Sequence, residues 1–254
     1  AVPYAPPAVS VLPHAPAVRP VVVGFGPAGL FAALTLAEAG AHPIVLERGQ
    51  DVDTRTRDVH AYWSRGAEAF SPSSNVQFGE GGAGTFSDGK LNSLIKDKDG
   101  RGRHVLSIFV ENGAQPEILY DAKPHIGTDV LSNVVKQMRE KIIQLGGEVR
   151  FESRVETFRT ENGALTGVIL SDGSVIDTET AVLAIGHSAR DTFFKLYESG
   201  LHMEAKAFAV GLRVEHPQSM INLALYGEEE NEKLGAAAYK VTHTCENGRG
   251  VYSF

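Results

Sequence analysis

One cysteine, Cys245, is the chain's whole complement of thiols. That excludes an internal disulfide framework and a CxxC redox pair, and it suits a reducing, cytoplasmic setting. Long apolar runs are also missing. None approaches the length that spans a bilayer, so no membrane partner is expected. There is no basic excess: the formal net charge is −7, and Lys and Arg are scattered rather than clustered. This argues against a nucleic-acid partner. No Ser/His/Asp order, His/Cys metal spacing or Walker loop occurs, so no metal site is expected.

Proline is unevenly spread. Pro3, Pro6, Pro7, Pro13, Pro16 and Pro20 are half of the chain's 12 prolines. Residues 1–19 therefore read as an extended Pro-rich linker, expected to lead from an upstream domain. They lack the basic start and continuous apolar core of a signal peptide. The remainder suits a globular protein with a full-sized core, in one large domain or two: of 254 residues, 43% are hydrophobic and 22% charged.

The most informative stretch is Val21-Val22-Val23-Gly24-Phe25-Gly26-Pro27-Ala28-Gly29-Leu30. A β-branched strand runs into glycines spaced G-x-G-x-x-G, and a helix of small residues follows over 27–39. Gly24 permits the tight turn, Gly26 leaves room for a pyrophosphate, and Gly29 lets helix and strand pack closely. Pro27 suits a first helical turn, where its missing N–H costs nothing. The free N–H groups of that turn and the helix dipole favour a diphosphate. A second strand over 43–47 ends at Glu47, 23 residues beyond Gly24. An acidic residue at about that distance binds the ribose hydroxyls, and it disfavours a 2′-phosphate there.

Regular strand–helix alternation then stops. A short helix is expected over 59–69, then a glycine-dense loop, Phe78-Gly79-Glu80-Gly81-Gly82-Ala83-Gly84-Thr85-Phe86-Ser87-Asp88-Gly89-Lys90. Such a loop is expected to fold over a ligand. A helix over 102–112 carries Val105, Leu106, Phe109 and Val110 on one face, and residues 120–127 have no assignable regular structure. A long helix starts near Thr128 as N-cap, with Val130, Val134, Met138, Ile142 and Leu145 on one stripe, and stops at Gly146-Gly147.

A third parallel strand is expected over 148–151. The period then changes to two. Strands over 155–160, 164–170 and 174–177 are joined by Asn162-Gly163 and Asp172-Gly173, both strong hairpin turns. The apolar run over 181–185 returns to the central sheet and ends at Gly186-His187. The end of the chain, 251–254, reads as the middle of a strand, and the natural protein is expected to continue.

This order resembles the flavoproteins of glutathione-reductase type, which carry two dinucleotide-binding domains. More narrowly, the chain resembles the bacterial family of uncharacterised FAD-dependent dehydrogenases. Three segments carry the likeness: Val23–Ala33, Asn75–Asn92, and Ala122-Lys123-Pro124-His125-Ile126-Gly127-Thr128-Asp129. The resemblance spans about residues 20–254. The implied class is α/β, a Rossmann-like FAD-binding domain with a parallel sheet and a three-stranded antiparallel meander. Part of an inserted substrate domain would follow, with boundaries 20–192 and 193–254.

The resemblance further implies that Gly24, Gly26, Pro27, Ala28 and Gly29 hold the FAD pyrophosphate. Glu47 would bind the adenosine ribose, with Arg48 beside it. Gly81, Gly82 and Gly84 would approach the ribityl and flavin portion, with Ser87 and Lys90 close by. Val155 would meet the adenine through its main chain, and Gly186 would close a turn near the dinucleotide. No catalytic side chain is assignable. His187 and His125 read as hydrogen-bonded structural histidines, Cys245 as buried or inert, and Asp51, Asp53, Arg55 and Arg57 as a solvated face.

The expected function is an FAD-dependent oxidoreductase acting on a small-molecule substrate or electron carrier, with NAD(P)H as a candidate donor. A non-redox FAD- or NAD-binding protein is one alternative. A flavin-dependent RNA-modifying protein is another, and the acidic net charge weighs against it. Oligomeric state is not legible.

Overall fold

The structure, a computed structural model, describes residues 4–87, 89–91, 96–121, 123–212 and 214–253. Asp88, Asn92 and Ala122 of the motifs above, and Phe254 of the expected final strand, lie outside the described residues. The chain divides into two compact units, Ala1–Met203 and Glu204–Phe254. The sequence reading put the division after residue 192.

The first unit is organised on a parallel sheet. Strands β1 (Val21–Val23), β2 (Ile44–Leu46), β3 (Glu148–Arg150) and β7 (Ala181–Leu183) lie in the order β3-β2-β1-β7. All three pairings are parallel, with Val22 opposite Val45 on one side and Val182 on the other. β1 and β2 are buried on both faces, which is why they read as continuous apolar runs rather than alternating ones.

The pleat sends alternate residues to two cores. Val22 and Val45 join Leu34, Val134, Met138 and Ile142 beneath helices α1 (Pro27–Glu38) and α4 (Thr128–Gln144). Val21, Val23, Ile44 and Leu46 join Val155, Val168, Leu170 and Ile176 of the meander. That meander is β4 (Val155–Glu161), β5 (Ala164–Leu170) and β6 (Val175–Asp177), antiparallel throughout. The α/β class, parallel sheet and meander expected from sequence are all present.

Two helix starts differ from expectation. Helix α2 covers Val52–Arg65, seven residues earlier than read, and a 3₁₀ turn continues it over Gly66–Ala69. The reason is Asp51, whose Oδ1 accepts the N–H groups of Asp53 and Thr54 and caps the helix. Thr128 is the first residue of α4, not its cap. Leu131 N–H donates to Gly127 O, so the helical ladder opens at Gly127. Helix α3 (Arg101–Glu111) lies where expected, and its most buried residue is Ile108. In the segment with no assigned structure, His125 forms an isolated bridge with Lys90. Residues 4–20 contain no regular element, yet Arg19 donates to His42 O and pairs with Glu148 at 2.8 Å. Helix α5 (Arg190–Glu198) follows β7.

The second unit contains helix α6 (Gln218–Tyr226) and a hairpin of β8 (Thr242–Thr244) and β9 (Gly250–Tyr252). Its buried polar centre is Asn222, which accepts from Ala237 N–H and donates to Glu229 O. Cys245 is half-buried, with a free thiol.

Candidate dinucleotide cleft

The carboxyl ends of β1 and β7 open onto a cleft of about 640 Å³. Ligands of open α/β sheets bind at this end of the strands. Ten residues expected at the cofactor line it: Gly24, Gly26, Pro27, Ala28, Glu47, Arg48, Gly82, Gly84, Val155 and Gly186. Gly29, Gly81, Ser87 and Lys90 are not on its wall.

The glycines divide by what a Cβ would meet. On Gly29 it would lie 1.9 Å from Gly24 O, and on Gly24 2.5 Å from Ala184 O. Gly29 is demanded by strand–helix packing, and Gly24 by its positive φ and the close approach of the chain after β7. Gly26 is different. Its backbone is extended, with φ −75°, and a Cβ would meet nothing closer than Gly82 Cα at 3.6 Å. A Cβ on Gly84 would come only within 4.0 Å of Pro27 Cγ. The fold itself does not require glycine at these two positions, and both keep the cleft open beside the first turn of α1. That turn has no side-chain cap and no acidic residue. Its N–H groups and the positive end of the helix dipole are left for an anion.

Glu47 is buried at the end of β2. Its Oε2 accepts the N–H of Phe25 at 2.7 Å, and its Oε1 accepts those of Gly49 at 2.9 Å and Gly79 at 3.0 Å. A carboxylate offers about four acceptor positions. The bond from Phe25 leaves one on Oε2 for a hydroxyl in the cleft.

Arg48 stands beside it. Its Nη2 pairs with Asp191 Oδ2 at 2.6 Å, and its guanidinium lies 4.5 Å from the centre of the Phe78 ring. Arg154 Nη1 reaches the same Asp191 oxygen at 3.6 Å. Asp191 lies in the first turn of α5, and Thr192, Phe193 and Leu196 of that helix line the cleft. His187 is exposed on the cleft wall, with its Nδ1 3.2 Å from Ser188 Oγ.

The expected solvated face over 51–57 is wrong at Arg55, which is fully buried; Asp51 is half-buried and caps α2. Arg55 Nε donates to Asn75 O at 2.8 Å, Nη1 to Glu80 O at 2.6 Å and Gly79 O at 3.4 Å, and Nη2 to Val76 O at 3.0 Å. The Phe86 ring lies over it at 4.8 Å. Burial pulls its pKa down to about 10, against the carboxylates of Glu47 and Glu80, and it stays charged at neutral pH. The glycine-rich loop is thus wound round a buried cation. The sequence signal for this was slight: an arginine four residues after a helix cap.

Glu80 is also fully buried. Its Oε2 accepts Val52 N–H at 2.8 Å and pairs with Arg139 at 2.9 Å, while Oε1 has no partner among the described residues. Burial pushes its pKa up to about 7 despite Arg139. Gly81 donates to Phe25 O, and a Cβ there would strike Thr85 Oγ1. Ser87 Oγ donates to Gly84 O, closing the 3₁₀ turn Gly82–Phe86.

Comparison with known proteins bears on this cleft. Residues 19–115 match the FAD binding domain, and residues 207–254 match the FAD-dependent protein, C-terminal domain-like. The matches support FAD as the dinucleotide. An uncharacterized protein of Clostridium beijerinckii is 54% identical over 238 residues, covering 93% of this chain and 44% of that protein. Protein FixC of Salmonella typhi is 23% identical over 227 residues, covering 86% of this chain and 48% of its own length. The chain spans about half the length of these relatives. Among solved structures, THI4 of Thermovibrio ammonificans aligns over 73% of this chain and 64% of its own, at 18% identity and a TM-score of 0.46.

The residues present fit FAD. Gly26 and Gly84 leave space that a Cβ would take, the uncapped turn of α1 suits a diphosphate, and Glu47 keeps one acceptor position for a ribose hydroxyl.

Proposed function

We propose that the protein is an FAD-dependent oxidoreductase acting on a small molecule or an electron carrier. The observation that supports this most is Gly26, a glycine that the fold does not need and that a diphosphate does, with Gly84 likewise leaving open space beside Pro27. Bound FAD would supply the redox chemistry, leaving position and electrostatics to the protein.

In this reading the first turn of α1 binds the diphosphate. Glu47 orients the adenosine ribose. Arg48 and Arg154 are tied to Asp191, which keeps two cations at the Glu47 end of the cleft. Gly82 and Gly84 let the chain pass close to the ribityl and flavin portion. Lys90 and Ser87 would belong to that side only by shaping the loop, since neither reaches the cleft wall. NAD(P)H is the candidate donor.

The test is anaerobic reduction of the FAD-loaded protein. Bleaching of the flavin band by NADH, NADPH or a panel of small reductants at turnover rates is expected. A flavin that takes electrons only from dithionite, and from no biological donor, would make the protein a non-redox FAD binder. Salt-sensitive tRNA binding would instead favour RNA modification.

A further inference from the structure

Two carboxylates act on the Arg55 charge: that of Glu47, on the cleft wall, and that of Glu80, which does not line the cleft. Arg55 itself does not line the cleft. We propose that Arg55 is a positioning residue for the adenosine end of the cleft, holding Gly79 in place and through Gly79 the carboxylate of Glu47. This rests on the FAD reading above.

The geometry of Gly79 carries the argument. Its φ is +116°, and a Cβ would lie 2.4 Å from Arg55 Cδ. The arginine stem thus fills the space on one side of the Gly79 Cα. On one side of Gly79, its carbonyl accepts from Arg55 Nη1; on the other, its N–H donates to Glu47 Oε1. One residue therefore links the buried cation to the acid on the cleft wall.

The same guanidinium gathers the carbonyls of Asn75, Val76 and Glu80. Those oxygens turn toward Arg55, so the partial negative charge of four peptide groups is neutralised away from a cleft meant for an anion. A planar fork with five donors can hold four carbonyls at once; a lysine ammonium cannot.

The test is a double-mutant cycle on FAD affinity, using Arg55→Lys, Glu47→Gln and the double variant, each checked for native circular dichroism. Loss of the fork is expected to weaken FAD binding about 10- to 100-fold, and Glu47→Gln about 10-fold. The double variant is expected to bind no more weakly than Arg55→Lys alone, because both changes disable the same carboxylate. Wild-type affinity in Arg55→Lys, or effects that multiply, overturns the proposal in favour of a purely structural arginine.

If Arg55→Lys does not fold, the wild-type protein decides. The Arg55 Nε–H, buried against Asn75 O, is expected to exchange slowly and give a resolved NMR signal. ADP-ribose carries the ribose and diphosphate without the flavin. Its binding is expected to shift that signal and the Gly79 N–H together. An unmoved pair with ADP-ribose bound overturns the proposal. Failure of both ADP-ribose and FAD to bind the wild type overturns the FAD reading instead.

Discussion

Glu47 Oε2 accepts the main-chain N–H of Phe25 at 2.7 Å, so the acid ending β2 is bonded to the middle of the glycine fingerprint that ends β1. The two halves of the dinucleotide signature are one hydrogen-bonded unit before any ligand enters. Glu47 also holds Gly49 and Gly79, so three separate turns converge on one carboxylate.

Glu47→Ala is therefore expected to cost stability as well as affinity. It strands three backbone donors in a buried site, at about 1–3 kcal/mol each where water cannot replace the partner. A urea denaturation midpoint well below that of Glu47→Gln, which keeps one acceptor oxygen, would bear this out. Equal midpoints would show that water satisfies the site.

Gly26→Ala and Gly29→Ala should separate ligand space from packing. The first keeps its melting temperature and loses FAD affinity by roughly 10- to 100-fold, the equivalent of about 1–3 kcal/mol of overpacking. The second drives a Cβ against Gly24 O and lowers the melting temperature by several degrees. Thermal scans with and without FAD check both. A Gly26→Ala protein with unchanged FAD affinity would remove the main support for the cleft's assignment.

Stability should fall as pH rises from about 4.5 to 7, through Glu80. Its pKa is raised to about 7 by burial, with Asp51 and Asp53 adding to the rise and Arg139 and the Val52 N–H opposing it. The folded protein therefore holds this proton where the unfolded chain has lost it. The stabilisation is fully present below about pH 4.5 and is lost as pH climbs through 7, on the order of 3 kcal/mol. Glu148 acts in the opposite sense at lower pH. The hydrogen bond from Arg150 holds its carboxyl below the usual range, so its contribution is lost on acidification. Urea titrations at pH 5 and pH 8 measure the slope, and Glu80→Gln should flatten it. A variant with the wild-type slope would place the titrating group elsewhere.

The parts of this fold legible in the sequence are those governed by local pattern. The strand–turn–helix over 21–38, the stripe Val134, Met138 and Ile142, and the hairpins at Asn162-Gly163 and Asp172-Gly173 follow from periodicity and turn chemistry. Arg55 was not legible because its burial depends on carbonyls of residues 75–80, which only the folded loop assembles. A charged residue between Asp53 and Arg57 reads as surface by default. Asp51 does carry a local signal, a capping acid directly ahead of Val52, and it sets the start of α2. The separate jobs of Gly26 and Gly29 follow from their places in the motif, and the structure shows them as open space at Gly26 and a close approach to Gly24 O at Gly29.

The decisive measurement is a titration of the purified wild-type protein with FAD, followed by flavin fluorescence and competed with ADP-ribose. A single equivalent of FAD, displaced by ADP-ribose and bound far more weakly by Gly26→Ala, is the expected result. A folded protein that takes up no FAD, or that binds it equally well after Gly26→Ala, would contradict the assignment of this cleft.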